Sequence, residues 1–208
     1  MICVSIIEQD IDKCIEILKQ CEMAELRLDK IQPGIPELKK LLAFDIPIIA
    51  TCRAGIYDND KRLELLTAAI KNGAGYVDIE LESDENYRKM LINAADYYNC
   101  KIIISYHNFN ETPDIDTLKN IVARAKALNP DLIKIVTYAQ TADDNSTVLS
   151  LYQNESQIVA FAMGESGKES RIRSLMLGSP FIYAACEKGC ESAAGQMTVD
   201  ELKKILKQ

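Results

Sequence analysis

The chain has 208 residues, 48% of them hydrophobic and 26% charged, and a net charge of -7. That size and balance fit one soluble globular domain, residues 1–208, with ample core. The charge argues against a nucleic-acid or anionic-membrane surface, and no apolar run approaches the ~20 residues that cross a bilayer.

Ile2–Ile7 is a short apolar run with no basic leader before it, so no secretory signal is expected. Asp10–Cys21 follows with helical spacing. Met23–Leu28 reads as a second strand, with Glu25 and Arg27 on one face. Pro33–Phe44 is helical, and Pro47–Cys52 is a strand that delivers Arg53. Lys61–Asn72 is helical and Gly73 stops it. Tyr76–Leu81 is the fourth strand, with Asp78 and Glu80 on one face. Glu85–Tyr98 is a helix, Lys101–His107 the fifth strand and Asp116–Leu128 a helix. Asp131–Thr137 is the sixth strand, Ala142–Gln153 a helix, Gln157–Phe161 the seventh strand and Glu169–Leu177 a helix. Pro180–Ala185 is the eighth strand. Thr198–Lys207 is the last helix, opened by the capping box Thr198-Val199-Asp200-Glu201.

Eight strand–helix units in strict alternation imply parallel strands closed into a (β/α)8 TIM barrel, a single compact α/β domain. An open doubly wound sheet is the competing fold, but the glycine-rich turn of its dinucleotide site is missing after the first strand. The seven cysteines are scattered. They read as reduced thiols in a cytoplasmic protein. Cys186 and Cys190 lack the further ligands a zinc site needs, so no metal is expected.

The sixth strand carries Lys134 between large aliphatic residues. Ile133 and Ile135 share one face, and Leu132, Lys134 and Val136 the other. A strand apolar on both faces belongs to a covered parallel sheet, so Lys134 points into protein. Burial disfavours the ammonium and leaves free amine, the form that attacks a carbonyl to give a Schiff base. Taken singly, Lys134 also fits an edge-strand lysine reaching solvent. What tells against that is convergence. In such barrels the active site lies at the carboxyl ends of the strands. There the chain places Glu25, Arg27, Arg53, Asp78, Glu80 and the lone histidine, His107. The loops after the last two strands add Arg171, Ser192 and Gln196. A lysine imine acidifies the adjacent carbon, a histidine moves protons, and arginines clamp a carboxylate. The substrate class is a small keto acid.

The order of motifs resembles the type I 3-dehydroquinate dehydratases of the shikimate pathway, over nearly the whole chain. The motifs are Glu25-Leu26-Arg27-Leu28-Asp29, Thr51-Cys52-Arg53, Val77-Asp78-Ile79-Glu80-Leu81, Ser105-Tyr106-His107-Asn108-Phe109 and Ile133-Lys134-Ile135. Met163-Gly164, Ser170-Arg171 and Ser192-Ala193-Ala194-Gly195-Gln196 complete the set. The resemblance implies a (β/α)8 barrel, a homodimer, and no cofactor or metal. It implies dehydration of 3-dehydroquinate to 3-dehydroshikimate by syn elimination through a lysine Schiff base. By the same resemblance, Lys134 forms the imine and His107 is the general acid and base. Arg171 binds the substrate carboxylate, with Ser192 and Gln196 closing over it. Glu25, Arg27 and Arg53 bind substrate hydroxyls, Asp78 and Glu80 stand behind them, and Met163 walls the pocket.

Two positions depart from the family. The glutamate common after the strand-three arginine is Tyr57 here, with Asp58 the nearest acid, which leaves open what orients His107. The usual proline of the closing loop is Ala194, and a loop without proline's fixed φ is expected to be more mobile. A class I aldolase acting on another keto acid is the alternative activity. It would more often carry a glycine-rich phosphate loop after strands seven and eight.

Overall fold

Apolar runs of period two alternate with runs of period 3.6 along the chain, and each forms the element its period dictates. The computed structural model describes residues 1–206. In order it holds β1 (Ile2–Ile6), α1 (Ile11–Leu18), β2 (Met23–Arg27), α2 (Leu28–Ile31), α3 (Ile35–Leu41) and β3 (Ile48–Thr51). Then come α4 (Asn59–Lys71), β4 (Tyr76–Glu80), α5 (Glu85–Tyr98), β5 (Lys101–His107), α6 (Ile115–Lys126) and β6 (Leu132–Tyr138). The chain ends with α7 (Asp143–Leu149), a 3₁₀ turn (Ser150–Gln153), β7 (Ile158–Met163), α8 (Lys168–Met176), β8 (Ile182–Ala185) and α9 (Val199–Leu206).

Aspartates start four of the helices. Asp10, Asp58, Asp84 and Asp114 each accept backbone N–H groups of the first turn of α1, α4, α5 and α6. The capping box expected at Thr198 is formed: Thr198 N–H donates to Glu201 at 2.8 Å, and Glu201 N–H to Thr198 Oγ1 at 3.2 Å. Lys207, the expected end of that helix, lies outside the described residues. The helix expected over Ala142–Gln153 divides into α7 and the 3₁₀ turn, and the short α2 was not foreseen.

All eight strands are parallel and pair in the order β7-β6-β5-β4-β3-β2-β1-β8. This is the predicted (β/α)8 barrel, nearly closed. Among the described residues β7 and β8 share no backbone register, and aromatic side chains span their seam. The rings of Phe161 and Tyr183 stand 6.4 Å apart.

Side-chain parity sorts each strand into an outer face under the helices and an inner face in the barrel. The outer face carries the larger core, with Leu26, Ala50, Ile79, Ile104, Ile133 and Ile135 against α1 and α3–α6. The inner face changes character along β1–β6. Cys3, Met23, Ile49, Ile103 and Leu132 pack at the amino-terminal end. Two residues on, the same face carries Ser5, Glu25, Thr51, Ser105 and Lys134, all buried. The barrel is thus plugged below by apolar groups and polar above.

Candidate active site

Lys134 is 5% exposed. Its Nζ lies 3.3 Å from Oδ2 of Asp78 and 3.5 Å from Oε1 of Glu25, and 4.2 Å from the centre of the Tyr183 ring. The burial expected from sequence is present, but the surroundings are anionic rather than apolar. The amine thus sits between two carboxylates and an aromatic ring.

Those carboxylates are themselves fixed. Glu25 accepts from Ser5 Oγ at 2.6 Å and Thr51 Oγ1 at 2.9 Å. Its burial opposes ionisation, yet Lys134 and Arg27 together outweigh that and hold it below the usual carboxylate range. Asp78 takes a bidentate pair from Arg53, both bonds 2.8 Å, and a 2.5 Å bond from Ser105 Oγ. Burial opposes its charge too, but Arg53 and Lys134 prevail and hold it far below the usual range. Behind it the charges alternate: Arg53 lies 3.6 Å from Glu80, which pairs with Arg62 at 2.7 Å. Arg27 is clamped by Asp29 through bonds of 3.1 and 2.8 Å.

His107 ends β5, its ring stacked on Phe109 at 5.9 Å. Burial first, then the charges of Arg53 and Lys134, push its pKa well below 6.5, so the imidazole is neutral and able to accept a proton. Among the described residues no side chain hydrogen-bonds it. Asp58 is spent capping α4, and Tyr57 packs on the outer core. Neither replaces the family glutamate.

Arg171 differs from the other arginines. It lies in the first turn of α8 rather than on a loop, and is 1% exposed. Its guanidinium stacks 4.3 Å over Phe161 and gives one bond, from Nη2 to the carbonyl of Ala194 at 3.2 Å. Nε is buried without a partner, and no described carboxylate lies within 4.0 Å. Burial pushes its pKa down to about 10. Ser170 secures the start of α8 by accepting from Ala162 N–H and donating to the Gly167 carbonyl.

The closing loop is docked on this arginine. The Ala194 carbonyl accepts from Arg171 and also from Gly164 N–H at 3.1 Å. Gly195 takes φ 72°, and a Cβ there would run into the carbonyl of Gly164. Gln196 Oε1 accepts from the N–H and Oγ of Ser192, which leaves its Nε2 to donate elsewhere.

One cavity of about 120 Å³ gathers nine of the expected residues: Glu25, Arg27, Arg53, His107, Lys134, Met163, Arg171, Ser192 and Gln196. Asp78 and Glu80 stand behind its wall. Larger hollows, such as one of about 660 Å³ between α6 and α7, lie on the outer surface and hold none of these groups. Sequence reading gave no role to Ser5, Thr51, Ser105 or Tyr183, although Thr51 and Ser105 stand in the family motifs. Ser5 and Thr51 do carry a signal: each is the lone polar residue on the inner parity of its strand, whereas Ser105 shares that parity with Lys101 and His107. Tyr183 carries none, because an aromatic in an apolar strand reads as core.

Fold and site define a barrel enzyme with its polar groups gathered at the carboxyl ends of the strands. Residues 2–208 match the model of the type I 3-dehydroquinase family. A 3-dehydroquinate dehydratase of Methanococcus maripaludis (strain C5) is 38% identical, covering 99% of this chain and 98% of that protein. The crystal structure of the Aquifex aeolicus VF5 3-dehydroquinate dehydratase is 26% identical, with a TM-score of 0.87 over 100% of this chain and 97% of that one. A type I 3-dehydroquinate dehydratase of Clostridium difficile, solved with covalently modified comenic acid, is 26% identical with a TM-score of 0.86, covering 99% and 90%. The chain belongs to the type I 3-dehydroquinase family and is a hydro-lyase.

Proposed function

We propose that the chain converts 3-dehydroquinate to 3-dehydroshikimate through an imine on Lys134, with His107 moving the protons. The observation that carries this reading is Arg171, a buried guanidinium with no carboxylate partner among the described residues, in the same cavity as Lys134 and His107. A monocarboxylate keto acid supplies both the anion and the ketone. The C. difficile relative, with its covalently modified ligand, supports covalent chemistry in this family.

Lys134 passes a proton to neutral His107, its amine adds to the ketone, and the proton returns to the departing hydroxyl as water leaves, which gives a protonated imine and a neutral His107. Neutral His107 takes a proton from the carbon beside it, and the electron pair of that C–H bond moves into the iminium to give an enamine. The enamine returns the pair and expels the hydroxyl of the next carbon. That hydroxyl takes the proton back from His107 and leaves as water. One water then hydrolyses the imine, so the sum is one water lost.

Arg171 holds the carboxylate, with Ser192 and Gln196 over it. Glu25, Arg27 and Arg53 face the substrate hydroxyls, Met163 walls the cavity, and Asp78 and Glu80 keep the arginines in place. The domain bounds 1–208, a homodimer and a cytoplasmic location belong to the same reading, and sedimentation of the purified chain tests the dimer.

The testing experiment is borohydride reduction with 3-dehydroquinate, followed by peptide mass mapping. A stable adduct on Lys134 supports the imine. Dehydration without an adduct makes the mechanism non-covalent, and neither dehydration nor adduct removes the substrate assignment.

A further inference from the structure

Tyr183 stands opposite Cys3 in the β8–β1 pairing, on the inner face, and is 3% exposed. It presents the flat of its ring to Nζ of Lys134 at 4.2 Å, close contact for a cation over an aromatic face. The ring cannot swing away. Phe181 meets it edge-on at 5.3 Å and 84°, and Phe161 flanks it at 6.4 Å. Its hydroxyl is sealed from solvent and has no hydrogen-bond partner among the described residues. A hydroxyl meant for substrate would reach the cavity. The ring itself lines the cavity, beside Lys134 and Glu25.

We propose that Tyr183 is a catalytic residue of this site: its ring face holds the positive charge on Nζ of Lys134 and keeps the substrate imine protonated, the form in which it draws electrons. This deepens the imine reading above and rests on it. Asp78 and Glu25, both held ionised, also attract that charge, at 3.3 and 3.5 Å from Nζ. An aromatic face attracts a cation through its quadrupole and has no lone pair with which to remove the proton. The aromatic wall therefore stabilises the iminium without competing for its proton. Desolvation makes such contact stronger than at a surface.

The test replaces Tyr183 by Phe, then by mono-, di- and trifluorophenylalanine, which withdraw ring electrons with little change of shape. Borohydride reduces an imine in either protonation state, whereas cyanoborohydride reduces the protonated one far faster. With 3-dehydroquinate at pH 9, cyanoborohydride trapping on Lys134 is expected to fall stepwise along the series, by about tenfold in total. Borohydride trapping should change much less. Tyr183→Leu should behave like the end of the series, and the ring of Tyr183→Phe should restore trapping. A flat fluorine series overturns the proposal even if the leucine variant fails to fold. Loss of the adduct in Tyr183→Phe assigns the role to the hydroxyl and overturns it as well. If the wild-type chain forms no borohydride adduct, the imine reading falls and this inference with it.

Discussion

Arg171 Nη2 donates to the carbonyl of Ala194 at 3.2 Å, and this is the only hydrogen bond its guanidinium makes among the described residues. One bond joins the anion-binding group to the loop that closes over it. The missing proline at position 194 therefore does not leave the loop untethered, because the tether is a carbonyl that proline and alanine share. The same bond leaves most of the guanidinium's donors for a ligand. Arg171→Ala is expected to raise KM by about thirtyfold or more, the equivalent of ~2 kcal/mol for a lost charge-assisted pair. Removing a buried cation that has no counter-ion among the described residues should not lower the melting temperature of the ligand-free protein. Steady-state kinetics and a thermal melt check both. An unchanged KM moves the carboxylate clamp elsewhere.

Lys134→Ala should abolish turnover while substrate still binds. It leaves Asp78 and Glu25 facing each other without the cation between them. Kinetics, calorimetric binding and borohydride trapping of the variant form the measurement, and substantial residual turnover would remove the covalent mechanism.

Arg53 and Asp78 form a bidentate pair whose side chains are 15% and 0% exposed. Breaking a buried pair by deleting one partner strands a charge, so Arg53→Ala should lose ~3 kcal/mol of stability in urea titration. Arg53→Lys should recover only part of it, since an ammonium cannot reproduce the fork. Full recovery by lysine would mean that charge alone matters here.

The pH dependence follows from His107. Its folded pKa is well below 6.5, so the native state takes up this proton later than the unfolded chain as pH falls. Stability is therefore whole above pH 6.5 and declines as pH drops from 6.5 toward the folded value. Below about pH 4, protonation of Asp78 and Glu25, both held ionised in the fold, removes more. The stability gap between the wild type and His107→Asn should shift in the variant's favour between pH 7.5 and pH 5. Parallel urea titrations at the two values decide it, and a gap that does not move contradicts a depressed histidine.

Gly195→Ala puts a Cβ against the Gly164 carbonyl at a positive φ. The loop carrying Ser192 and Gln196 should lift from the barrel, with KM rising several-fold and faster proteolysis between β8 and α9. Unchanged KM would mean that the loop does not close on substrate.

Strand parity and helix period were legible in the sequence because both are local. That Leu132, Lys134 and Val136 share a face follows from a repeat of two, and the polar step toward the carboxyl ends of β1–β6 can be read one strand at a time. The barrel followed from counting alternations, and the family motifs placed Lys134, His107 and Arg171. Contacts across the barrel were not legible. Asp78 and Lys134 lie 56 positions apart, and their 3.3 Å approach depends on the stagger of strands around the barrel. The surroundings of Lys134, two carboxylates and an aromatic ring, were decided there. So were the distance of Arg171 from every described carboxylate and the placement of Tyr183 beneath the amine. Charge state and desolvation depend on distances to groups far away in the chain, and only the closed sheet sets those distances.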